Sequence, residues 1–428
     1  MKIFNLSLKI IGQFIFVIIF FSPLHAKNMD KFNNTDSLAR YFSGTLLLSD
    51  NQYNESYKFF RKLDGLELNH NNFSKKFIYS LINSGNFNEA FNYSKRLNKK
   101  KLDTFESNLV IGIFHLKNSD YSLAQKYFLK AKKKNAGFVL DNYVSNSLYN
   151  LSNLEKTNLP SAALEIEKLD ERFENLKKIQ NVLLNCFFKS PNTIILFDEL
   201  LLNKNNDFSR YNYFYAAYLA SSEKTNEAKK IINEALKYYP RNLLLNQYKI
   251  DLKNRQNKTY FDCSQQAHII AEILYITANV LSSQSIYSLS NFYLNLAKYL
   301  SNNFFSYNTL LAENFYKVEN LKNAKKIYEN LSNKGEAYKW YSTKQLARIL
   351  IKEKNKDKAI QLISEAYENL ENKEIYETFD YAEFLKNNEK FKDSIQYYTN
   401  VINSVKKDHP LYPDSTDGRG VAYERIGK

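Results

Sequence analysis

Three small residues recur at an interval of 34 positions: Ser56, Ala90 and Ala124, each preceded three positions earlier by an aromatic ring, Tyr53, Phe87 and Tyr121. A fixed period of this size means that one supersecondary unit is stacked on the next. In the same frame Gly44 and Gly112 stand at the eighth position of their units, and Phe60 and Phe128 follow the recurring small residue by four. Small side chains are needed where two helices cross closely, and the rings fill the space left between neighbouring units. Gly (10) and Pro (6) are scarce in 428 residues, which favours helices joined by short turns. A single helical hairpin cannot bury its apolar stripe, so stability becomes a sum of nearest-neighbour contacts and no central core is expected.

The pattern resembles the tetratricopeptide repeat, a helix-turn-helix unit with G-x2-Y, A-x3-F and a late Pro at set places. On that frame three units run without a gap over 37–70, 71–104 and 105–138. A fourth spans 209–242, with Ala228, Ala235 and Pro240 on its second small, third small and terminal positions. Later units span 271–304, 305–338, 340–373 and 375–408, with Ser290, Ala324, Ala359 and Ser394 as key small residues. The resemblance implies an all-α, right-handed superhelix, a TPR solenoid. Residues 139–208 keep the helical period but drift in spacing, which predicts two degenerate hairpins with Pro160 and Pro191 at helix ends. The stretch 251–266 is polar and lacks apolar periodicity, and Ala228 to Ser290 is 62 residues rather than two full periods. A linker or hinge over 251–268 is therefore expected between a first array, 37–250, and a second, 269–428. The ending from Asp417 to Arg425 resembles the first helix of a further repeat, with Gly420 and Tyr423 on the G-x2-Y positions, and reads as an incomplete last unit of a truncated chain. This layout is similar to that of long exported tetratricopeptide proteins of alphaproteobacteria.

Residues 1–26 have the parts of a secretory signal: Lys2 and Lys9, an apolar stretch from Ile10 to Phe21, and a short polar end closing on Ala26. The apolar run is short of the roughly 18 residues that a membrane-spanning helix needs. Cleavage after Ala26 is expected, with 27–36 as a linker and the remainder exported to the periplasm or cell envelope, outer-membrane association being open. No later segment reads as a transmembrane span. Cys186 and Cys263 fall in different units beside Phe187 and Phe261. An oxidising compartment permits a bridge, but buried free thiols are the expectation.

The net charge is +15 and the pI about 9.3. Fifty lysines stand against ten arginines, a bias that together with abundant Asn, Ile, Phe and Tyr is what an AT-rich genome produces. Nucleic-acid sites favour Arg, whose planar fork suits phosphates and bases, so a nucleic-acid partner is set aside. His70, His115, His268 and His409 lack a ligand partner at metal spacing, and G-x-S-x-G and Gly-rich phosphate loops are missing from the sequence. No enzyme activity, cofactor, metal or small-molecule substrate is expected. The resemblance implies that first helices line an inner groove that holds peptides or helices of other proteins. On that frame the candidate groove residues are Tyr41, Lys75, Tyr79, Tyr213, Tyr275, Tyr316, Lys344 and Arg348. Tyr offers large contact area with few torsions to freeze, although 33 Tyr would place several there by composition alone. The clamp that holds chaperone carboxylates in this family is missing, since Lys75 is followed by Tyr79 and the next helix offers Val110 where the clamp has Asn, and Lys344 and Arg348 are followed by Asp380. The function expected is a protein–protein interaction scaffold or adaptor of the cell envelope. Two alternatives stand beside it: a polyanion-binding helical-repeat protein, for an envelope polymer or RNA, and an accessory subunit of an envelope biogenesis or secretion machine.

Overall fold

A computed structural model describes residues 35–134, 137, 139–202, 207–254 and 260–427. The signal segment therefore lies outside the described residues. Those described form helices and no strand, as the all-α expectation requires. The first three units are the hairpins α1–α2 (Thr35–Ser49, Tyr53–Phe60), α3–α4 (Asn71–Asn83, Phe87–Lys99) and α5–α6 (Phe105–Lys117, Tyr121–Lys133). The drifting stretch holds two more, α7–α8 (Val139–Leu151, Leu159–Glu167) and α9–α10 (Glu174–Phe187, Thr193–Leu202). Pro160 sits in the first turn of α8, where its missing N–H costs nothing. Next come α11–α12 (Ser209–Ser221, Thr225–Tyr238) and a helix without a hairpin partner, α13 (Leu243–Lys253). The chain continues with α14–α15 (Gln266–Ser283, Tyr287–Leu300), α16–α17 (Ser306–Lys317, Leu321–Leu331), α18–α19 (Glu336–Lys352, Lys356–Glu368), α20–α21 (Ile375–Asn387, Phe391–Ser404) and α22 (Leu411–Arg425).

The small residues do what close helix approach demands. Ser56, Ala90, Ala124, Ala228, Ser290, Ala324, Ala359 and Ser394 are all fully buried at the crossing of their two helices. A Cβ added at Gly112 would lie 2.4 Å from Phe128, and one at Gly44 would lie 2.6 Å from Phe60. The second unit meets the same constraint with the sizes exchanged: Ile78 stands at the glycine position and Ser94 at the phenylalanine position, both fully buried. In two units the small residue also bonds across the hairpin, Ser56 Oγ donating to the Gly44 carbonyl at 2.8 Å and Ser290 Oγ to that of Ala278 at 2.7 Å. Gly112→Ala should therefore cost about 1–3 kcal/mol, the usual penalty for overpacking, and pairing it with Phe128→Leu should recover much of the loss. Urea denaturation of the three proteins checks this; a loss below about 0.5 kcal/mol for Gly112→Ala, the ordinary range for a surface change, would contradict it.

The turns inside the hairpins share a conformation that residue identity hides. Asn51, Gly85, Ser119, Glu223, Ser285, Glu319, Lys354 and Glu389 all have positive φ, and all fall at the fifteenth position of their units. A left-handed residue lets the next N–H reach back to the helix end, as Gln52 N to Leu47 O and Lys224 N to Leu219 O do at 2.8 and 2.9 Å. Seven of the eight are not glycine, so the turn is imposed by helix packing against the local cost.

Four expectations change. First, the array has a core. One continuous cluster of buried apolar residues runs from Leu48 to Ile349, and only the last hairpins form separate small clusters around Trp340 and Phe379. The reason is that the superhelix folds back: α14 packs on α7, and α15 lies across α3 and α5. Second, the segment expected as a hinge is tied down at its described residues. Asp251 and Tyr260 are buried and bonded to each other at 2.9 Å, and the Tyr260 N–H donates to Tyr213 Oη at 2.9 Å. Third, Cys186 at the end of α9 and Cys263 ahead of α14 form a disulfide rather than two free thiols, because the fold-back brings their Cα atoms to 5.9 Å. Fourth, the frame of α22 is shifted by two. Gly418, not Gly420, is the close-packed glycine, with Tyr398 2.5 Å from its added Cβ, while Gly420 faces open space and Tyr423 is exposed.

Candidate functional site

Over the first three units the later repeats pack against the chain's own surface. Tyr79 of α3 packs its ring 4.7 Å from Phe292 of α15, and Phe87 stacks on Tyr299 at 4.5 Å. Polar contacts accompany the rings: Asn291 Nδ2 donates to Tyr53 Oη at 2.8 Å, Asn320 Nδ2 to the Asn51 carbonyl at 3.2 Å, and Lys117 Nζ to the Leu300 carbonyl at 3.0 Å. Amides meeting carbonyls and hydroxyls leave few polar atoms stranded in the joint.

Five of the eight candidate groove residues are engaged within the chain away from any open cavity, three of them where the halves meet. Tyr41 accepts from Lys76 Nζ at 3.0 Å and rests against His70. Lys75 pairs with Glu106 of α5 at 2.9 Å, and Tyr79 Oη donates to the same carboxylate at 3.2 Å. Burial, and then the Glu106 charge, holds the Tyr79 hydroxyl well above its usual range and raises the neighbouring Asp141 carboxyl. Tyr213 is fully buried. Tyr275 lies 3.9 Å beneath the Arg210 guanidinium. Arg210 of α11 in turn grips Glu272 of α14 through two bonds of 2.8 Å, one from Nε and one from Nη2. Tyr79, Tyr213 and Tyr275 thus pack where the two halves of the chain meet, whereas Tyr41 and the half-exposed Lys75 contact only their own and the neighbouring unit.

The other three come together in a different place. Tyr316 of α16 with Lys344 and Arg348 of α18 line an open cavity of about 640 Å³, whose far wall is Asp380 and Glu383 of α20. The Arg348 guanidinium lies 5.3 Å and the Lys352 ammonium 4.7 Å from the Tyr316 ring. Lys344 is ion-paired with Asp380, while exposed Arg348 has no ion pair among the described residues and donates only to Gln345, at 3.2 Å. Sequence reasoning missed Arg241, from the connection between α12 and α13, which reaches the same Asp380 at 2.9 Å and lies over Tyr376 and Phe379. Nothing local marks it, because its role depends on α13 packing beside α18. Arg241 and Lys344 share Asp380, Lys352 is paired with Glu319 at 3.1 Å and Glu383 is engaged by Lys386 at 2.7 Å, which leaves Arg348 as the lining cation without a described carboxylate. Tyr316, Phe379 and Phe384 add aromatic faces to this charged lining. Among the described residues no group of His, Cys, Asp and Glu is arranged to hold a metal ion, and no helix is long and apolar enough to cross a membrane.

No family model and no curated protein matches the chain. Among solved structures, yeast Tom70 aligns with 14% identity over 91% of this chain and 96% of its own, at a TM-score of 0.30. The TPR domain of P58(IPK) aligns with 15% identity over 91% and 99%, at 0.25, and the APC/C hetero-tetramer Cut9–Hcn1 with 11% over 91% and 84%, at 0.31. Scores this low do not describe a shared global path, so the assignment rests on this chain's own period, buried small residues and repeated turn. On that ground the chain is an all-α array of tetratricopeptide-type hairpins, folded back so that its later repeats occupy the groove of its earlier ones.

Proposed function

We propose that this protein is an interaction scaffold of the cell envelope, and that it holds an acidic segment of a partner protein in the groove between α16, α18 and α20. The observation that carries the reading is the gathering of Tyr316, Lys344 and Arg348 around an open cavity, where the first array's equivalent surface is covered. A guanidinium lying over a tyrosine ring and lacking a carboxylate can take one from a ligand as a charge-assisted, bidentate pair. The flanking ring supplies contact area and a hydroxyl. Two features support the envelope as its location: the signal-like segment at 1–26 and the Cys186–Cys263 bridge, which suits an oxidising compartment.

In-cell crosslinking with the intact protein should recover a partner whose binding falls about tenfold or more in Arg348→Glu and Tyr316→Ala, the range for central Arg and Tyr contacts. Tyr41→Phe, in the first unit and away from this cavity, should leave capture unchanged. Equal capture by all four proteins would remove the groove from the reading. Removal of residues 2–21 should leave the protein in the cytoplasm and abolish capture.

A further inference from the structure

A second and larger cleft, of about 1100 Å³, lies at the seam where the later repeats meet the earlier ones. Its walls come from the start of α2, the turn between α3 and α4, the end of α15, and α16 and α17. Seams between packed units are common places for ligands. Two features separate this cleft from ordinary polar surface.

The first is a pair of ammonium groups. Lys298 of α15 and Lys326 of α17 both line the cleft, and neither makes an ion pair with a described carboxylate. Burial and the nearby Lys326 charge both push the Lys298 ammonium down from its usual range. Of the wall carboxylates, Glu55 is held by Lys58 at 2.8 Å and Glu319 by Lys352 at 3.1 Å, leaving Glu329 against Lys298, Lys322, Lys326 and Lys334. Lys298 is partly desolvated while Lys326 is exposed, and a like charge beside a desolvated ammonium is costly unless an anion joins them.

The second is Asn308 of α16. Its side chain is more than nine-tenths buried, it lines the cleft, and its Oδ1 has no hydrogen-bond partner. An unpaired buried amide oxygen costs about 1–3 kcal/mol, so the position makes sense when a ligand donates to it. Asn295 and Asn302 line the same cleft. The Asn295 amide nitrogen already donates to Asn83 Oδ1 and the Asn291 carbonyl, so Asn295 offers its Oδ1 as an acceptor, while exposed Asn302 offers both a donor and an acceptor, groups that a hydroxyl satisfies. Phe305 and Phe315 add apolar faces to the wall.

We propose that this cleft binds an acidic saccharide, a hydroxylated ring that engages the amides of Asn295, Asn302 and Asn308 and places its carboxylate or phosphate between Lys298 and Lys326. The site is distinct from the protein-binding groove and stands or falls separately.

The test is calorimetric titration of the full chain with tri-galacturonic acid, glucose 6-phosphate, neutral maltotriose and inorganic phosphate. One or both acidic sugars should saturate, more tightly than maltotriose or phosphate, and the stronger of the two names the acid group. Lys298→Gln with Lys326→Gln should weaken that binding about tenfold or more, the worth of charge-assisted bonds, as should Asn308→Leu. Lys326 is exposed, so Lys326→Gln alone keeps the fold and should still weaken binding measurably. Three results overturn the proposal: no saturation by either acidic sugar, inorganic phosphate binding as well as the sugars, or undiminished binding by the lysine variants.

Discussion

Glu272→Gln is expected to destabilise the protein by about 3–5 kcal/mol, the cost of leaving one member of a buried ion pair without its partner. The Glu272 side chain is fully buried and that of Arg210 nearly so. Both guanidinium bonds are 2.8 Å, and Tyr211 Oη donates to the same carboxylate at 3.2 Å. Burial raises the Glu272 carboxyl, and the Arg210 charge beside it pulls the other way. Removing the negative charge strands a guanidinium that Tyr275 and Phe304, at 3.9 and 4.4 Å, stabilise only in part. Replacing both partners, Arg210→Met with Glu272→Leu, should restore most of the loss, since an apolar pair avoids the desolvation of two charges. The pair joins α11 of the first array to α14 of the arm that fills its groove. Urea unfolding of Glu272→Gln should therefore broaden or split, as repeat arrays do when coupling between neighbours weakens. A loss under about 1 kcal/mol with an unchanged single transition would show that the pair does not join the halves.

Reduction of the Cys186–Cys263 bridge is expected to cost about 2–4 kcal/mol. The bond closes a loop of 77 residues, long enough for the unfolded chain to lose substantial freedom when it forms. It also holds the segment that leads into α14 against the end of α9, where the arm enters the groove. Cys186→Ser with Cys263→Ser should unfold like reduced wild type, and a reducing agent should then have no further effect. A midpoint that does not move on reduction of the wild-type protein would falsify this account.

How much was legible before the structure depends on how far apart the determining residues lie. The hairpins were legible because everything that specifies them falls within one period: Gly44 meets Phe60 and Gly112 meets Phe128 inside single units. Tyr316, Lys344 and Arg348 were legible for the same reason, as positions on first helices. Their company was not. Arg241 joins them from 75 or more positions away, through the packing of α13 beside α18. The left-handed turns were hidden because helix packing imposes them on Asn, Ser, Glu and Lys alike. The two-residue shift in α22 was hidden because Gly418 and Gly420 both fit a local motif, and only contact with Tyr398 distinguishes them.

The sequence by itself determined a set of helical hairpins with small residues at each crossing, since those contacts are local and their sizes must match. Only the tertiary structure decided that the array closes on itself, burying Tyr213 and partly covering Tyr79 and Tyr275, joining Cys186 to Cys263 and leaving the α16–α20 surface open. The path of a repeat array accumulates from small rotations between units. Where α13 lacks a partner helix, that accumulation is interrupted, and contacts across up to 269 positions, such as the Asn320 amide on the Asn51 carbonyl, settle the outcome.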